Sequence, residues 1–304
     1  MRILIFGAGA IGSVLATMLS PLHDVDVAVR GEHARRILEE GLIIRGAVER
    51  SAHPGTEPRG RYDMIFITTK AYDVEQASRS AEAFSGDETT IVSPQNGLRH
   101  VGVLTERFGD RVVLSPTTMG ATRIGQVEVR LAAMGTTVVG SMHGDPGRAE
   151  KVAAVLNEAG VRSEVSDNII GEVWTKAIVN ACINPLASLA GVPNGVLLER
   201  RPLLAIAELA CSEAVAAATA CGVALTRHDV FSWVKDVMRS TRENRCSMLQ
   251  DIEAGRRTEI DEINGELVRI GEANDVRMDV NRSLWTLLRA AEGRQMPSER
   301  IEST

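Results

Sequence analysis

Lys176, Asn180 and Asn184 stand four residues apart in the stretch WTKAIVNACINPL, which runs from Trp174 to Leu186. At 3.6 residues per turn the three drift by only about 80° in total, so one helix face carries them all. Their neighbours Trp174, Ala177, Ile178, Ala181, Cys182 and Ile183 are apolar, as a buried helix requires. Solvated faces are usually built from Glu, Lys and Arg, so a lysine with two asparagines suits a working face better. A lysine withdrawn from water has a lowered pKa and becomes a usable acid near neutral pH. Asparagine donates and accepts, so it can hold a carbonyl, hydroxyl or carboxylate without adding charge. The set matches carbonyl reduction, in which a nicotinamide gives hydride and the protein gives the proton. Pro185 removes a helical hydrogen bond and bends or loosens the chain beside Asn184.

Histidine is the commoner proton donor, but His23, His33, His53, His100, His143 and His228 are expected in loops or on surface faces. A later segment, NRCSMLQDIEAGRRTEIDEING at 244–265, adds further polar groups. Ser247 reads as the N-cap of a helix ending near Gly255. Thr258 reads as the next N-cap, with Asp261 as its capping-box acid. Glu259 falls in the first turn, where the helix dipole favours a carboxylate. Capping and dipole roles account for Ser247 and Glu259 as well as a site does.

The cofactor signal lies at the other end of the chain. The apolar run Arg2–Phe6 leads into Gly7-Ala8-Gly9-Ala10-Ile11-Gly12, and a helical pattern follows to about Leu19. In such a strand–turn–helix the first glycine permits the turn, the second admits a pyrophosphate and the third lets the helix pack closely. The free N–H groups and dipole of the helix N-terminus then face the phosphates. The second strand, VDVAV, ends in Arg30 where NAD sites usually hold an acid. A guanidinium there favours a 2′-phosphate, hence NADPH, while Glu32 keeps the NAD alternative open. Lys70 after MIFITT and Asn96 after IVSPQ sit at further strand ends, the ligand-binding edge of such a sheet.

These groups need two kinds of scaffold. Strands alternating with helices in the first half imply a parallel sheet. From Val112 to Gly140 the pattern reads as antiparallel strands, with Gly120, Gly125 and Gly135 as turns. Beyond Asp167 strand signals give way to apolar and amphipathic helices such as Leu203–Ala220 and Thr258–Ala273. The expected division is an α/β domain over 1–167 and an all-helical domain over 168–304.

A chain of 304 residues with 44% hydrophobic and 24% charged residues can bury full cores in two domains. The formal net charge of -6 and an aromatic content of 3% argue against nucleic-acid partners. Cys182, Cys211, Cys221 and Cys246 form no metal-binding pair and read as free thiols of a cytoplasmic protein. Arg2 and the run Ile3–Leu19 resemble a signal peptide, but the glycine spacing speaks for a nucleotide loop and no cleavage site follows. No other segment is expected to approach the length needed to span a bilayer, so no membrane role is expected.

Together these pieces resemble the ketopantoate reductase family over almost the whole chain. They are GAGAIG at 7–12, Arg30, TTKA around Lys70, QNG around Asn96, GA at 120–121 and K-x-x-x-N-x-x-x-N-P-L at 176–186. PNG around Asn194, N-x-x-S at 244–247 and R-x-T-E-I-D-x-I-N-G at 256–265 complete the set. The resemblance implies NADPH-dependent reduction of ketopantoate to pantoate, towards pantothenate and coenzyme A. It implies a Rossmann-type N-terminal domain and an all-helical C-terminal domain of 6-phosphogluconate-dehydrogenase-like arrangement. By the same resemblance Lys176 is the general acid and Asn180, Asn184, Asn194, Asn244 and Ser247 hold the substrate. Asn96 meets both substrate and nicotinamide, and Glu259 lies near substrate and cofactor. Gly7 to Gly12, Arg30, Lys70 and Ala121 hold NADPH. No metal is expected, and a homodimer through the helical domain is plausible on apolar faces. Reduction of another 2-keto or 3-keto acid is the alternative, since β-hydroxyacid dehydrogenases share a lysine and asparagine four apart. A non-catalytic NADPH-binding module is the rival from another class.

Overall fold

A computed structural model of the protein describes residues 1–142 and 146–292. Its first strand, β1 (Arg2–Phe6), has a fully buried centre of Ile3, Leu4 and Ile5 because it is paired on both sides. β2 (Asp24–Ala28) and β5 (Met64–Ile67) flank it in parallel. α1 (Ala10–Leu19) connects β1 to β2. α2 (Gly31–Glu40), β3 (Leu42–Gly46) and β4 (Arg50–Ala52) follow before β5. α3 (Val74–Ala81), β6 (Thr90–Ser93), α4 (Arg99–Phe108) and β7 (Val112–Leu114) continue the chain. All four residues of β5 and of β6 are buried, the pattern of central parallel strands covered on both faces.

β8 (Gly120–Arg123), β9 (Glu128–Ala133), β10 (Thr137–Ser141), α5 (Pro146–Glu158) and β11 (Ser163–Val165) complete the strand-bearing part. The main sheet has the order β11-β10-β7-β6-β5-β1-β2. The chain leaves β1 to one side for β2 and returns to the other for β5, so the strand order reverses at β1. Ligands of open α/β sheets bind at the carboxyl ends of strands at such a reversal. A second sheet, β4-β3-β9-β8, joins β3 and β9 in parallel and packs β8 against α1.

The expected antiparallel run over 112–140 is found only in part. β8 pairs antiparallel with β9, and β10 with β7, but β7 is parallel to β6 and extends the main sheet. Gly120 opens β8 at a bulge instead of forming a turn, whereas Gly125 and Gly135 lie in connections. His100, expected at the surface, is 1% exposed. It shares the inner face of α4 with Leu104 and Phe108, spaced at four and eight residues. His143 lies outside the described residues.

Among the described residues no strand follows β11. The helices are α6 (Ile169–Ala190), α7 (Val196–Glu199), α8 (Arg201–Ala220), α9 (Val230–Ser240) and α10 (Ser247–Glu253). A π turn (Asp261–Gly265), α11 (Glu266–Ala273) and α12 (Asp279–Ala291) follow. Residues pack most densely into two compact units, Met1–Val173 and Trp174–Thr304, so α6 begins in the first and runs into the second. One helix, α8, is long and apolar enough by length and composition to cross a bilayer, which the sequence reading did not anticipate. Its stripe of Ala207, Ala210, Cys211, Ala214, Ala217 and Ala218 is buried against neighbouring helices, while Ile206 and Leu209 elsewhere on the helix are exposed.

Candidate active site

The nucleotide loop is built by contacts that only glycine allows. Gly7 has φ +109°, in the region that L side chains avoid. A Cβ on Gly12 would stand 2.0 Å from the Gly7 carbonyl oxygen and 2.5 Å from Thr68 Oγ1. Thr68 Oγ1 itself donates to the Gly7 carbonyl at 2.6 Å, locking the loop to the end of β5. Gly9 differs: a Cβ there would have no protein atom closer than 3.9 Å. Packing explains Gly7 and Gly12, whereas the open space over Gly9 fits the approach of a pyrophosphate. Gly9 is also the N-cap of α1 and has no side chain to occupy the helix end. The residues therefore fit a dinucleotide.

At the end of β2 Arg30 is exposed, and among the described residues no salt bridge engages it. Glu32, the acid that could have contacted a ribose hydroxyl, is held by Arg35 at 2.5 Å and Arg36 at 3.3 Å. The Arg35 hydrogen bond, foremost, keeps its carboxyl below the usual range. Lys70 and Asn96, both partly buried, follow β5 and β6. Gln95, which the sequence reading passed over, joins their loops. Its Nε2 donates to the Thr69 carbonyl at 2.9 Å, and its Oε1 accepts from Ser93 Oγ at 3.1 Å. The only sequence signal was a glutamine directly before Asn96-Gly97, in a position that reads as loop. Gln95→Leu is expected to lower stability by about 1–3 kcal/mol by stranding the buried Ser93 hydroxyl and the partly buried Thr69 carbonyl, measured by denaturant unfolding. Ala121 lies in β8 beside the bulge and packs on the core that includes Val14 and Leu15 of α1.

In the second unit Lys176 and Asn180 are partly buried, and Asn184 is 7% exposed. Burial pulls the Lys176 pKa from 10.5 down to about 8, and the charge of Glu259 opposes that shift. Glu259 is 6% exposed, so a carboxylate and an ammonium influence one another away from bulk water. Asn194 is tied to Asn244 through its backbone N–H, which donates to the Asn244 carbonyl at 3.0 Å. Asn194 Nδ2 donates to Thr241 Oγ1 at 3.0 Å, while its buried Oδ1 has no partner among the described residues. Cys246 Sγ donates to the Asn184 carbonyl at 3.6 Å and accepts from the Leu249 N–H at 3.4 Å. One thiol thus joins the Asn184 turn to the helix that Ser247 begins. Asn244 and Ser247 are themselves exposed.

Two capping assignments change. The cap of α10 is Cys246, whose backbone is extended at φ -60° and ψ 159°; Ser247 is the first helical residue. The Thr258–Asp261 capping box does not form. Thr258 N–H and Oγ1 both donate to Glu292 Oε1, at 2.9 and 2.7 Å. Asp261 accepts from Trp285 Nε1 at 2.7 Å and from Arg289 at 2.9 Å. Stronger donors from α12 draw the carboxylate away from the backbone.

Residues 3–144 match the family model described as ketopantoate reductase PanE/ApbA, and residues 168–292 match its C-terminal counterpart. The chain belongs to the ketopantoate reductase family. A 2-dehydropantoate 2-reductase of Archaeoglobus fulgidus is 36% identical over 296 residues, covering 96% of this chain and 98% of that one. A PanE/ApbA family ketopantoate reductase of Ralstonia eutropha has a similar structure, with TM-score 0.89 and 27% identity over 97% of this chain and 99% of that one. D-mandelate dehydrogenase bound to NADH and anilino(oxo)acetate matches with TM-score 0.90 and 26% identity, over 96% of this chain and 98% of that one. The ketopantoate reductase models cover both the nucleotide loop and the lysine–asparagine row.

Proposed function

We propose that this chain reduces 2-dehydropantoate to pantoate with NADPH, a cytoplasmic step towards pantothenate and coenzyme A. The observation that carries the reading is the Lys176–Asn180–Asn184 face, with a lysine whose pKa is near 8 beside a buried glutamate. Gly7 to Gly12 and Arg30 would hold the dinucleotide, whose nicotinamide would supply hydride to the keto carbon. Lys176 gives its proton to the carbonyl oxygen as negative charge builds there. Asn180 and Asn184 hold the substrate's oxygen atoms by donating N–H groups, without the charge that would pin a product. Asn194, whose buried Oδ1 has no partner among the described residues, offers an acceptor to a substrate hydroxyl. Asn244 and Ser247 complete the polar set, and Glu259 keeps Lys176 charged enough to donate.

The choice of NADPH rests on Arg30, exposed at the end of β2 while Glu32 is committed to arginines. Arg30→Ala is expected to lower kcat/KM for NADPH about 10–100-fold, the worth of one charge-assisted contact. The value for NADH should change by less than about twofold, and equal losses would refute the phosphate role.

A second reading, reduction of a different 2-keto acid with NADH, is favoured by the similarity to D-mandelate dehydrogenase. Oxidation of NADPH and NADH by the purified protein decides between them. The substrates are ketopantoate, pyruvate, 2-ketoisovalerate and the 2-keto acid corresponding to mandelate. Highest kcat/KM with ketopantoate and NADPH supports the first reading; no turnover of ketopantoate ends it.

A further inference from the structure

The sequence segment that ends in Ile263-Asn264-Gly265 holds a residue with no part in the reading above. Ala181 lies four residues before Pro185 in α6, so the amide that would bond its carbonyl is the one proline lacks. The Asn264 side chain stands in for it: Nδ2 donates to the Ala181 carbonyl at 3.2 Å. The second N–H of that amide goes to Asn281 Oδ1 at 3.0 Å. Asn281 is oriented in turn, because its Nδ2 donates to the Ala210 carbonyl and to Glu213 Oε2, both at 2.9 Å. The Glu213 carboxylate also accepts the backbone N–H groups of Val280 and Asn281, at 2.8 and 2.9 Å, in the first turn of α12. Asn264 and Asn281 are both 0% exposed. A buried chain of amides therefore runs from α8 and α12 to a single carbonyl of α6, and that carbonyl lies between Asn180 and Asn184.

The π turn sets the register of this contact. Gly265 N–H reaches back five residues to the Ile260 carbonyl at 3.0 Å. Five residues separate Glu259 from Asn264, and five separate Lys176 from Ala181. The same wide turn thus places a carboxylate within reach of the lysine's charge and an amide on the carbonyl one turn later.

We propose that Asn264 is a positioning residue for the substrate-gripping asparagines, acting by replacing the hydrogen bond that Pro185 removes from α6. A carbonyl without a donor at a proline tilts outward and lets the helix swing at that point. With Asn264 in place, Asn180 before the proline and Asn184 beside it keep one mutual orientation. The inference rests on the proposal that these asparagines bind substrate.

The test is a four-protein cycle: wild type, Asn264→Ala, Pro185→Ala and the double variant. Pro185→Ala returns an amide to α6 and makes the Asn264 donor redundant. Asn264→Ala in the native background is expected to raise KM for ketopantoate about tenfold, with the Kd of NADPH changed less than about twofold. In the Pro185→Ala background the same substitution should change KM less than about threefold, and the fall in Tm it causes should shrink likewise. An equal KM effect in both backgrounds, or an equal loss of NADPH binding, overturns the inference and marks Asn264 as a core residue only. If Asn264→Ala does not fold, recovery of folded protein in the double variant supports the coupling, and failure of both overturns it. The Tm cycle does not depend on turnover. Coupling in Tm without any reduction of ketopantoate therefore sinks the substrate reading alone, whereas turnover without coupling sinks the positioning role.

Discussion

Lys176→Ala is expected to lower kcat for ketopantoate reduction by about 10²–10⁴-fold, the usual worth of a positioned general acid. Lysine is ordinarily a poor donor at neutral pH because its ammonium holds the proton too tightly. Here burial lowers the pKa to about 8, and the proton becomes easier to give to a developing alkoxide. The sign of the pH dependence follows. Below pH 8 the side chain is an ammonium and the donor is present; above it the amine has no proton to give. For the wild type, kcat/KM in the direction of reduction should be level below about pH 8 and fall about tenfold per unit above it. Glu259→Gln removes the charge that opposes the shift, so the bend in that profile should move to lower pH. Rates measured from pH 6 to 10 in a constant-ionic-strength buffer check both statements. A Lys176→Ala protein that retains wild-type kcat, or a profile that stays flat through pH 10, would refute the assignment.

The second large effect belongs to the nucleotide loop. Gly12→Ala places a methyl carbon at 2.0 Å from the Gly7 carbonyl oxygen, a backbone atom that cannot step aside. The loop must open, so NADPH affinity should fall more than about 100-fold, and Tm should drop by several degrees. Gly9→Ala separates ligand binding from folding. Its methyl carbon meets no protein atom within 3.9 Å, so Tm should hold within about a degree in the absence of cofactor. NADPH affinity should nevertheless fall about tenfold or more, because the methyl group would take the space proposed for the pyrophosphate. Thermal unfolding without cofactor and fluorescence titration with NADPH give the two numbers for each variant. Equal Tm losses for Gly9→Ala and Gly12→Ala would mean that Gly9 is a packing residue as well.

Where the candidate residues stand on their elements was legible because regular periods need no knowledge of partners. The face shared by Lys176, Asn180 and Asn184 follows from 3.6 residues per turn, and α6 carries all three. The glycine turn likewise needs only a strand before it and a helix after it. Arg30, Lys70 and Asn96 follow from where apolar strands stop, and the observed strands stop within two residues of those expectations.

What failed was decided by contacts that residue type alone does not show. Ser247 looked like a cap because serine is a good one, but the extended backbone falls at Cys246, whose thiol accepts the Leu249 N–H. Asp261 looked like a capping acid because the spacing was right, yet Trp285 and Arg289 bind it from α12. His100 looked exposed because histidine is polar, whereas its four-residue spacing to Leu104 and Phe108 placed it inside. Gln95 and Asn264 gave no period at all. Their worth depends on which carbonyls a folded chain brings to within 3.2 Å of an amide.

Sequence alone therefore placed the groups of the candidate site: a glycine turn between a strand and a helix, and a lysine with two asparagines on one helix face, each at the spacing of its local element. The tertiary structure alone decided how strongly those groups are tuned. Burial lowers the Lys176 pKa, Glu259 opposes the shift, and Asn264 supplies the bond that Pro185 cannot make. The division has a physical reason. Backbone periodicity is a local property of the chain, whereas desolvation and the satisfaction of a buried carbonyl depend on residues tens of positions away.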